Sequence, residues 1–306
     1  MLTIFATPKP FHGHDGVIQR NAIGSWVQLH PNCDVLLFGD EPGAAKIAQE
    51  FSVRHVPDVR RSEFGTKSLD HIFAHAQQMA RHEILCYVNC DIILLQSFCE
   101  AVTRVAAWSP KFLMVGRRWD TPLTQALDFG SAGWDAPLRD FAMRTGKLQA
   151  PYAVDYFAFS RGLYQDVPPF AVGRVHWDHW LVWKARSMRV PVVDASADVL
   201  AIHQAHDYAY HSGGLAGVKA DIESKRNREL AGGQIHLYTI DHATHRLVEG
   251  RMEDKPGRWH APISALLSIY SSQLWYWVLK ATFGLRNSLG LRRGALAQVQ
   301  RRPEMK

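Results

Sequence analysis

Asn89-Cys90-Asp91 interrupts an otherwise apolar stretch, between Ile84-Leu85-Cys86-Tyr87-Val88 and Ile92-Ile93-Leu94-Leu95. Carboxylates are almost never buried unpaired, so an acid at this point is either a turn residue or a metal ligand. If the chain stays extended, side-chain alternation places Asn89 and Asp91 on one face, where they can grip a divalent cation carrying a diphosphate. Asn and Asp also serve in turns and helix caps, so the triplet alone leaves both readings open.

Two later segments carry further chemistry. Val199-Leu200-Ala201-Ile202 leads directly into His203-Gln204-Ala205-His206-Asp207-Tyr208, an H-x-x-H followed by Tyr210 and His211. It lacks the H-E-x-x-H helix of zinc proteases, yet one histidine joined to Asp91 would complete a mixed nitrogen and oxygen site. Surface or hydrogen-bonded core histidines are the competing reading. In Gly173-Arg174-Val175-His176-Trp177-Asp178-His179-Trp180, Asp178 sits among large aromatics at the expected start of a helix. It is either a general base or an N-cap. Asp155-Tyr156 and Arg117-Arg118-Trp119-Asp120 are the remaining polar clusters, suited to sugar hydroxyls or phosphates.

The elements that must position these residues alternate between strand and helix. Leu2 to Ala6, Asp34 to Phe38, Val53 to Val56 and the run ending at Asn89 read as strands. Gln19 to Leu29, Ala44 to Phe51 and Leu69 to Arg81 read as helices between them, the pattern of βα units feeding a mainly parallel sheet. Phe112 to Val115, Tyr156 to Phe159 and Val190 to Val193 are further strands, and Trp177 to Arg186 a helix with Trp180, Leu181 and Trp183 on one face. Ligands of such sheets bind outside the carboxyl ends of the strands. Three ends here are polar: Thr7-Pro8-Lys9, Gly39-Asp40 and Asn89-Cys90-Asp91. Neither G-x-G-x-x-G nor G-x-x-x-x-G-K-[ST] occurs, so a dinucleotide fold and a P-loop are not supported.

With 306 residues, 47% of them apolar, the chain can bury a substantial core. Its net charge of +6 is confined to the end, where Lys280, Arg286, Arg292, Arg293, Arg301, Arg302 and Lys306 face only Glu304. The neutral body argues against a nucleic-acid partner. Four cysteines without a C-x-x-C pair suit reduced core residues and a cytoplasmic setting. The N-terminus reads as a strand rather than a secretory signal. A boundary is expected near residue 257. Beyond it, the uncharged Ile263 to Leu279 and the basic stretch that follows suit either peripheral contact with an anionic membrane face or a docked helix with a frayed end.

In order, these segments resemble the GT-A-type nucleotide-diphospho-sugar transferases, a glycosyltransferase family. The matching stretches are Gln19 to Trp26, Val35 to Asp40, Glu63 to Thr66, Tyr87 to Asp91, Val115 to Asp120, Asp155 to Phe159, Trp177 to Trp180 and Ile202 to Tyr208. The resemblance runs from about residue 2 to 211 and leaves the tail after 257 uncovered. It implies an α/β fold, a Rossmann-like, mainly parallel central sheet flanked by helices. A nucleotide-binding half at about 1–120 and an acceptor half at about 121–257 would precede a helical, basic extension over 258–306. It implies Mn²⁺ or Mg²⁺ held by a D-x-D-type motif against a nucleotide-diphospho-sugar donor, and transfer of the sugar to a hydroxyl of a glycan or lipid-linked acceptor. Asp91 maps onto the motif's second acid and Asn89, a departure, onto its first. The histidine ligand maps onto His203, with His206 the alternative. Asp178 resembles the base of an inverting enzyme. Arg20, Lys67 and Arg117 are candidates for phosphate, Thr7 and Asp40 for the nucleoside, and Asp155 for the donor. A nucleotidyltransferase that forms the nucleotide sugar, or a non-catalytic carbohydrate-binding or membrane-associated scaffold, would use the same fold.

Overall fold

The structure, a computed structural model, describes residues 2–30, 33–206 and 214–255. These lie in one compact unit, Met1–Arg258. The expected basic extension over 258–306, and with it the membrane-contact expectation, falls outside the described residues, as do Tyr208, Tyr210 and His211. No helix among the described residues is long and apolar enough to cross a membrane.

The first half runs β1 (Leu2–Ala6), α1 (Gly13–Gln28), β2 (Cys33–Phe38), α2 (Ala44–Glu50), β3 (Arg54–Val56), α3 (Leu69–Met79), β4 (Ile84–Val88), β5 (Ile92–Ile93), α4 (Gln96–Trp108) and β6 (Leu113–Thr121). There follow α5 (Asp135–Thr145), β7 (Lys147–Leu148), β8 (Val154–Ser160), α6 (Trp177–Ser187), β9 (Val192–Asp194), β10 (Ala201–Gln204), α7 (Gly214–Ala220) and α8 (Ile222–Leu230). Two short 3-10 turns, Gly233–His236 and Ile240–His242, lead into the hairpin β11 (His245–Val248) and β12 (Arg251–Asp254). Helix α1 starts six residues before the expected Gln19. Two glycines weaken its first turn in isolation, but Gly16 packs so closely on the Phe11 backbone that a Cβ there would crowd it, and Asp15 complements the helix N-terminus.

The sheet order is β12-β11-β9-β6-β8-β4-β1-β2-β3. Strands β3, β2, β1 and β4 are mutually parallel, as are β6, β9 and β11. Strand β8 runs antiparallel between β4 and β6 and joins the two blocks. The result is the mixed, mainly parallel, helix-flanked sheet expected from the sequence. Strand β6 crosses residue 120, so the sheet continues through both expected halves. Alternation along the strands feeds two cores. Phe5, Tyr87, Phe157 and Phe159 pack with Phe73 and Trp177 on one face. Leu2, Ile4, Cys86 and Val88 pack with Trp26 and Phe98 on the other. Cys86, Cys90 and Cys99 are buried and all four cysteines are free thiols.

The β6–β8 register shifts between Val115 and Arg117. Gly116 sits at that shift because Tyr156 crosses it: an added Cβ would collide with the tyrosine hydroxyl and Cζ. That hydroxyl is buried with no hydrogen-bond partner among the described residues. Overpacking of this kind costs about 1–3 kcal/mol. Gly116→Ala should lower unfolding stability by that amount in urea titrations. Tyr156→Phe, which deletes an unsatisfied hydroxyl, should be close to neutral alone and should recover part of the loss in the double variant.

Candidate metal centre and cleft

The Asn89-Cys90-Asp91 segment is a turn rather than extended chain, closed by Ile92 N donating to Asn89 O at 3.1 Å. The two side chains therefore part company. Asn89 Nδ2 donates to Asp155 Oδ1 at 2.7 Å. Asp91 is directed toward β10, where His206 Nε2 lies 3.0 Å and His203 Nε2 3.7 Å from its Oδ2. The two imidazole nitrogens are 3.1 Å apart. Both histidines weighed from the sequence thus meet Asp91 instead of one excluding the other.

Strand β10 produces this convergence. It pairs antiparallel with β5 and parallel with β6, setting His203 opposite Ile92 on one side and Asp120 on the other. His203 Nδ1 lies 3.1 Å from Asp120 Oδ1. A carboxylate at Nδ1 holds the proton there and turns a bare Nε2 toward the centre, the arrangement that typically stands behind a metal-bound histidine. Asp120 is in turn held by Arg118 Nε at 2.9 Å, and Arg118 Nη1 reaches Asp155 Oδ2 at 2.9 Å. Burial works against the Asp120 carboxylate, but His203 and Arg118 outweigh it and keep its pKa low. At Asp91, burial is likewise outweighed by His206 and His203, and the carboxylate lies below the usual range.

One carboxylate oxygen and two imidazole nitrogens from Asp91, His203 and His206 lie within 4.8 Å of one another. A single proton cannot serve all three contacts, whereas neighbouring ligands of an octahedral ion at 2.0–2.1 Å stand about 3 Å apart. Asp91 Oδ1 is buried with no hydrogen-bond partner among the described residues. The donor set therefore fits a divalent cation.

These residues form one end of a cleft of about 1120 Å³ that also takes in the ends of β1 and β2 and the start of α6. Thr7, Lys67, Asn89, Asp91, Asp155, Asp178 and His203 all line it. Lys67 Nζ donates to Pro8 O at 2.6 Å and pairs with Glu41 at 2.9 Å. Burial draws its ammonium below the ordinary lysine value, against the pull of Glu41. Asp178 contributes a carboxylate whose Oδ1 is buried without a partner among the described residues.

Three expected residues are elsewhere. Arg20 pairs with Glu50 and stacks over Phe51 on the outside of α1, away from the cleft lining. Asp40 is exposed and pairs with Arg61, while its neighbour Glu41 faces the cleft. Arg117 binds Gln149 O, and Arg118 takes the place expected of it. His176, which lines the cleft beside Asp178, carried no signal beyond the motif that contains it.

No protein-family model matches the chain, and no curated protein matches it in sequence. Solved structures do. The chain is similar to glucosyl-3-phosphoglycerate synthase of M. tuberculosis, at 16% identity over 76% of this chain and 81% of that one, TM-score 0.46. It is also similar to the mannosyltransferase PcManGT from Pyrobaculum calidifontis in complex with GDP-Man and Mn²⁺, at 13% identity over 93% and 80%, TM-score 0.44. S. aureus TarS 1-349 matches at 8% identity and TM-score 0.40, covering 67% of this chain, which spans 57% of that one.

Burial and the nearby Arg228 guanidinium depress the pKa of His176 below its ordinary value. A group with a depressed folded pKa binds fewer protons folded than unfolded, so its contribution to stability is present above the unfolded pKa of about 6.5 and lost as pH falls. Urea midpoints should therefore decline from pH 7 to pH 5, and His176→Asn should decline less steeply than wild type.

Proposed function

We propose that the chain is a metal-dependent glycosyltransferase that moves a sugar from a nucleotide-diphospho-sugar to an acceptor hydroxyl. The observation that carries this is the convergence of Asp91, His203 and His206 at the carboxyl end of a mainly parallel sheet, in the same cleft as Thr7, Lys67 and Asp178. Two imidazoles in the donor set favour Mn²⁺ over the harder Mg²⁺. A cation held by these three residues supplies Lewis-acid stabilisation of charge on a leaving diphosphate.

The chain's own residues divide the remaining work. Glu41 Oε2 is buried without a partner among the described residues, and beside Lys67 and Thr7 it offers an acceptor for nucleoside N–H or ribose O–H groups. Lys9 and Lys67 line the same cleft, paired with Asp15 and Glu41. Asn89, Arg118 and Asp155, bonded to one another, add a fixed polar group to the cleft lining.

Asp178, at the start of α6, lines the same cleft. Its carboxylate takes the proton of the acceptor hydroxyl as the acceptor oxygen bonds to the anomeric carbon and the bond from that carbon to the diphosphate oxygen breaks. This is the role that an inverting transfer requires. The acceptor is read as a glycan or lipid-linked hydroxyl.

Two measurements test the reading. Titration calorimetry should show Mn²⁺-dependent binding of UDP or GDP to wild type and its loss in Asp91→Ala and His203→Ala, with far-ultraviolet circular dichroism unchanged. Equal binding with and without Mn²⁺ would sink the metal assignment. In a screen of UDP- and GDP-sugars, Asp178→Asn should lower transfer about 10²–10⁴-fold, the usual contribution of a general base, while leaving nucleoside diphosphate affinity unchanged. Full transfer by that variant would remove Asp178 as the base.

A further inference from the structure

Most lysines and arginines that line the cleft are paired with carboxylates. Lys9 meets Asp15, Arg61 and Lys67 meet Glu41, and Arg118 meets Asp155. Arg174 is held between Asp221 and Glu223. Arg228 and Lys219 also line the cleft, and neither has a carboxylate partner among the described residues.

Arg228 is fixed from both sides. It follows Asn227 on α8, a buried residue whose side chain bonds both backbone groups of Ala171, donating to its O at 3.0 Å and accepting from its N at 2.8 Å, and reaches Val175 O at 3.2 Å. Arg228 Nε donates to His176 Nε2 at 3.3 Å. That contact seats the guanidinium against the residue that precedes α6, whose first turn carries Asp178. With Nε committed, Nη1 and Nη2 have no protein acceptor among the described residues, and Arg228 is exposed where it lines the cleft. Its two terminal nitrogens lie in one plane, the fork that grips two oxygens of a phosphate or a carboxylate.

We propose that the acceptor carries an anionic oxo group, a phosphate or a carboxylate, seated on the Nη1–Nη2 fork of Arg228, with Lys219 adding positive charge in the same cleft. The proposal rests on the reading of the cleft as a sugar-transfer site with Asp178 as its base, and gives the acceptor a chemical class. At Arg228 no carboxylate of the chain competes for such a group. Holding the acceptor by its anionic end also restricts where its hydroxyl lies, and orientation of this kind is what transfer to one hydroxyl among several requires.

Arginine Nε–Hε spectra of the full chain test this without turnover. Arg228 is assigned by the resonance lost in Arg228→Gln or, should that variant fail to fold, in Arg228→Lys. Glycerol 2-phosphate is the phosphate probe, acetate the carboxylate probe and glycerol the neutral control. The expected result is a saturable shift of the Arg228 resonance with at least one anion and none with glycerol, the tighter of the two naming the group. Calorimetric affinity for that anion should fall about tenfold or more in Arg228→Gln, the weight of a hydrogen bond to a charged group, with UDP and GDP affinity in Mn²⁺ unchanged. In the sugar-transfer screen, wild type should use an acceptor bearing that group, and Arg228→Gln should raise its KM by a similar factor. No saturable shift with either anion overturns the proposal, as does transfer confined to neutral acceptors. A loss of nucleoside diphosphate affinity in Arg228→Gln also overturns it, by moving Arg228 to the donor. Failure of Mn²⁺-dependent UDP or GDP binding in wild type counts instead against the transferase reading itself, and is read separately from the anion titration.

Discussion

The buried amide of Gln204 ties the metal corner together. It is fully buried, donates to Ile18 O at 2.8 Å and Asp91 O at 3.2 Å, and accepts from Asn21 Nδ2 at 2.8 Å. Those contacts join α1, the turn after β4 and the end of β10. An amide left unsatisfied in such a place costs about 1–3 kcal/mol per group, so the three segments keep one mutual arrangement or lose several bonds together. The residues on either side inherit that order. Asp91 is held by its own carbonyl, His203 by its place between β5 and β6, and His206 by the chain leaving β10.

The antiparallel strand β8 explains why an asparagine stands at 89. By inserting between β4 and β6, it brings the Asp155 peptide against the turn, where Asn89 N donates to Asp155 O at 3.0 Å. The two side chains then face each other, and a second acid at 89 would oppose a buried carboxylate at hydrogen-bond distance. Asparagine donates instead. Burial and the nearby Asp91 push the Asp155 pKa upward while Arg118 resists. The amide at 89 therefore reinforces the ionised form that Arg118 also favours.

Much of this was legible in the sequence, because apolar runs with turn residues at their ends report directly on buried strands and their exposed tips. Strands β1, β2, β3, β4, β6, β8 and β9 follow from that pattern, whereas the short β5, β7 and β10 and the hairpin β11–β12 do not, and the pattern leaves the segment 89–91 open between turn and extended chain. The pattern does not resolve the choice between adjacent side chains. Glu41 and Arg118 face the cleft where the sequence points to Asp40 and Arg117. At 40 and 41 the chain has left β2 and period-two alternation no longer applies. At 117 and 118 the register shift beside Gly116 disturbs the count, and such bulges re-aim side chains next to sites. Arg20 lies outside the cleft lining for a different reason: on a helix one face is buried and the next is solvent, and Glu50 on α2 claims it. Contacts between segments distant in sequence, such as Arg228 with His176, leave no local trace at all.

The charges of the metal corner bear on what it can hold. Asp91, Asp120 and Asp155 set three carboxylates against the single guanidinium of Arg118, with two imidazoles between them. With the histidines neutral, the excess is two negative charges, which one divalent cation balances. An acid at position 89 would overshoot by one, so asparagine there keeps the corner matched to one divalent cation. In the proposed reaction the diphosphate of a donor would add negative charge of its own. Along the cleft Lys67 is already balanced by Glu41 at 2.9 Å and Lys9 by Asp15 at 3.4 Å. The cation at Asp91, His203 and His206, rather than a surplus cationic side chain, would then meet the charge of the diphosphate.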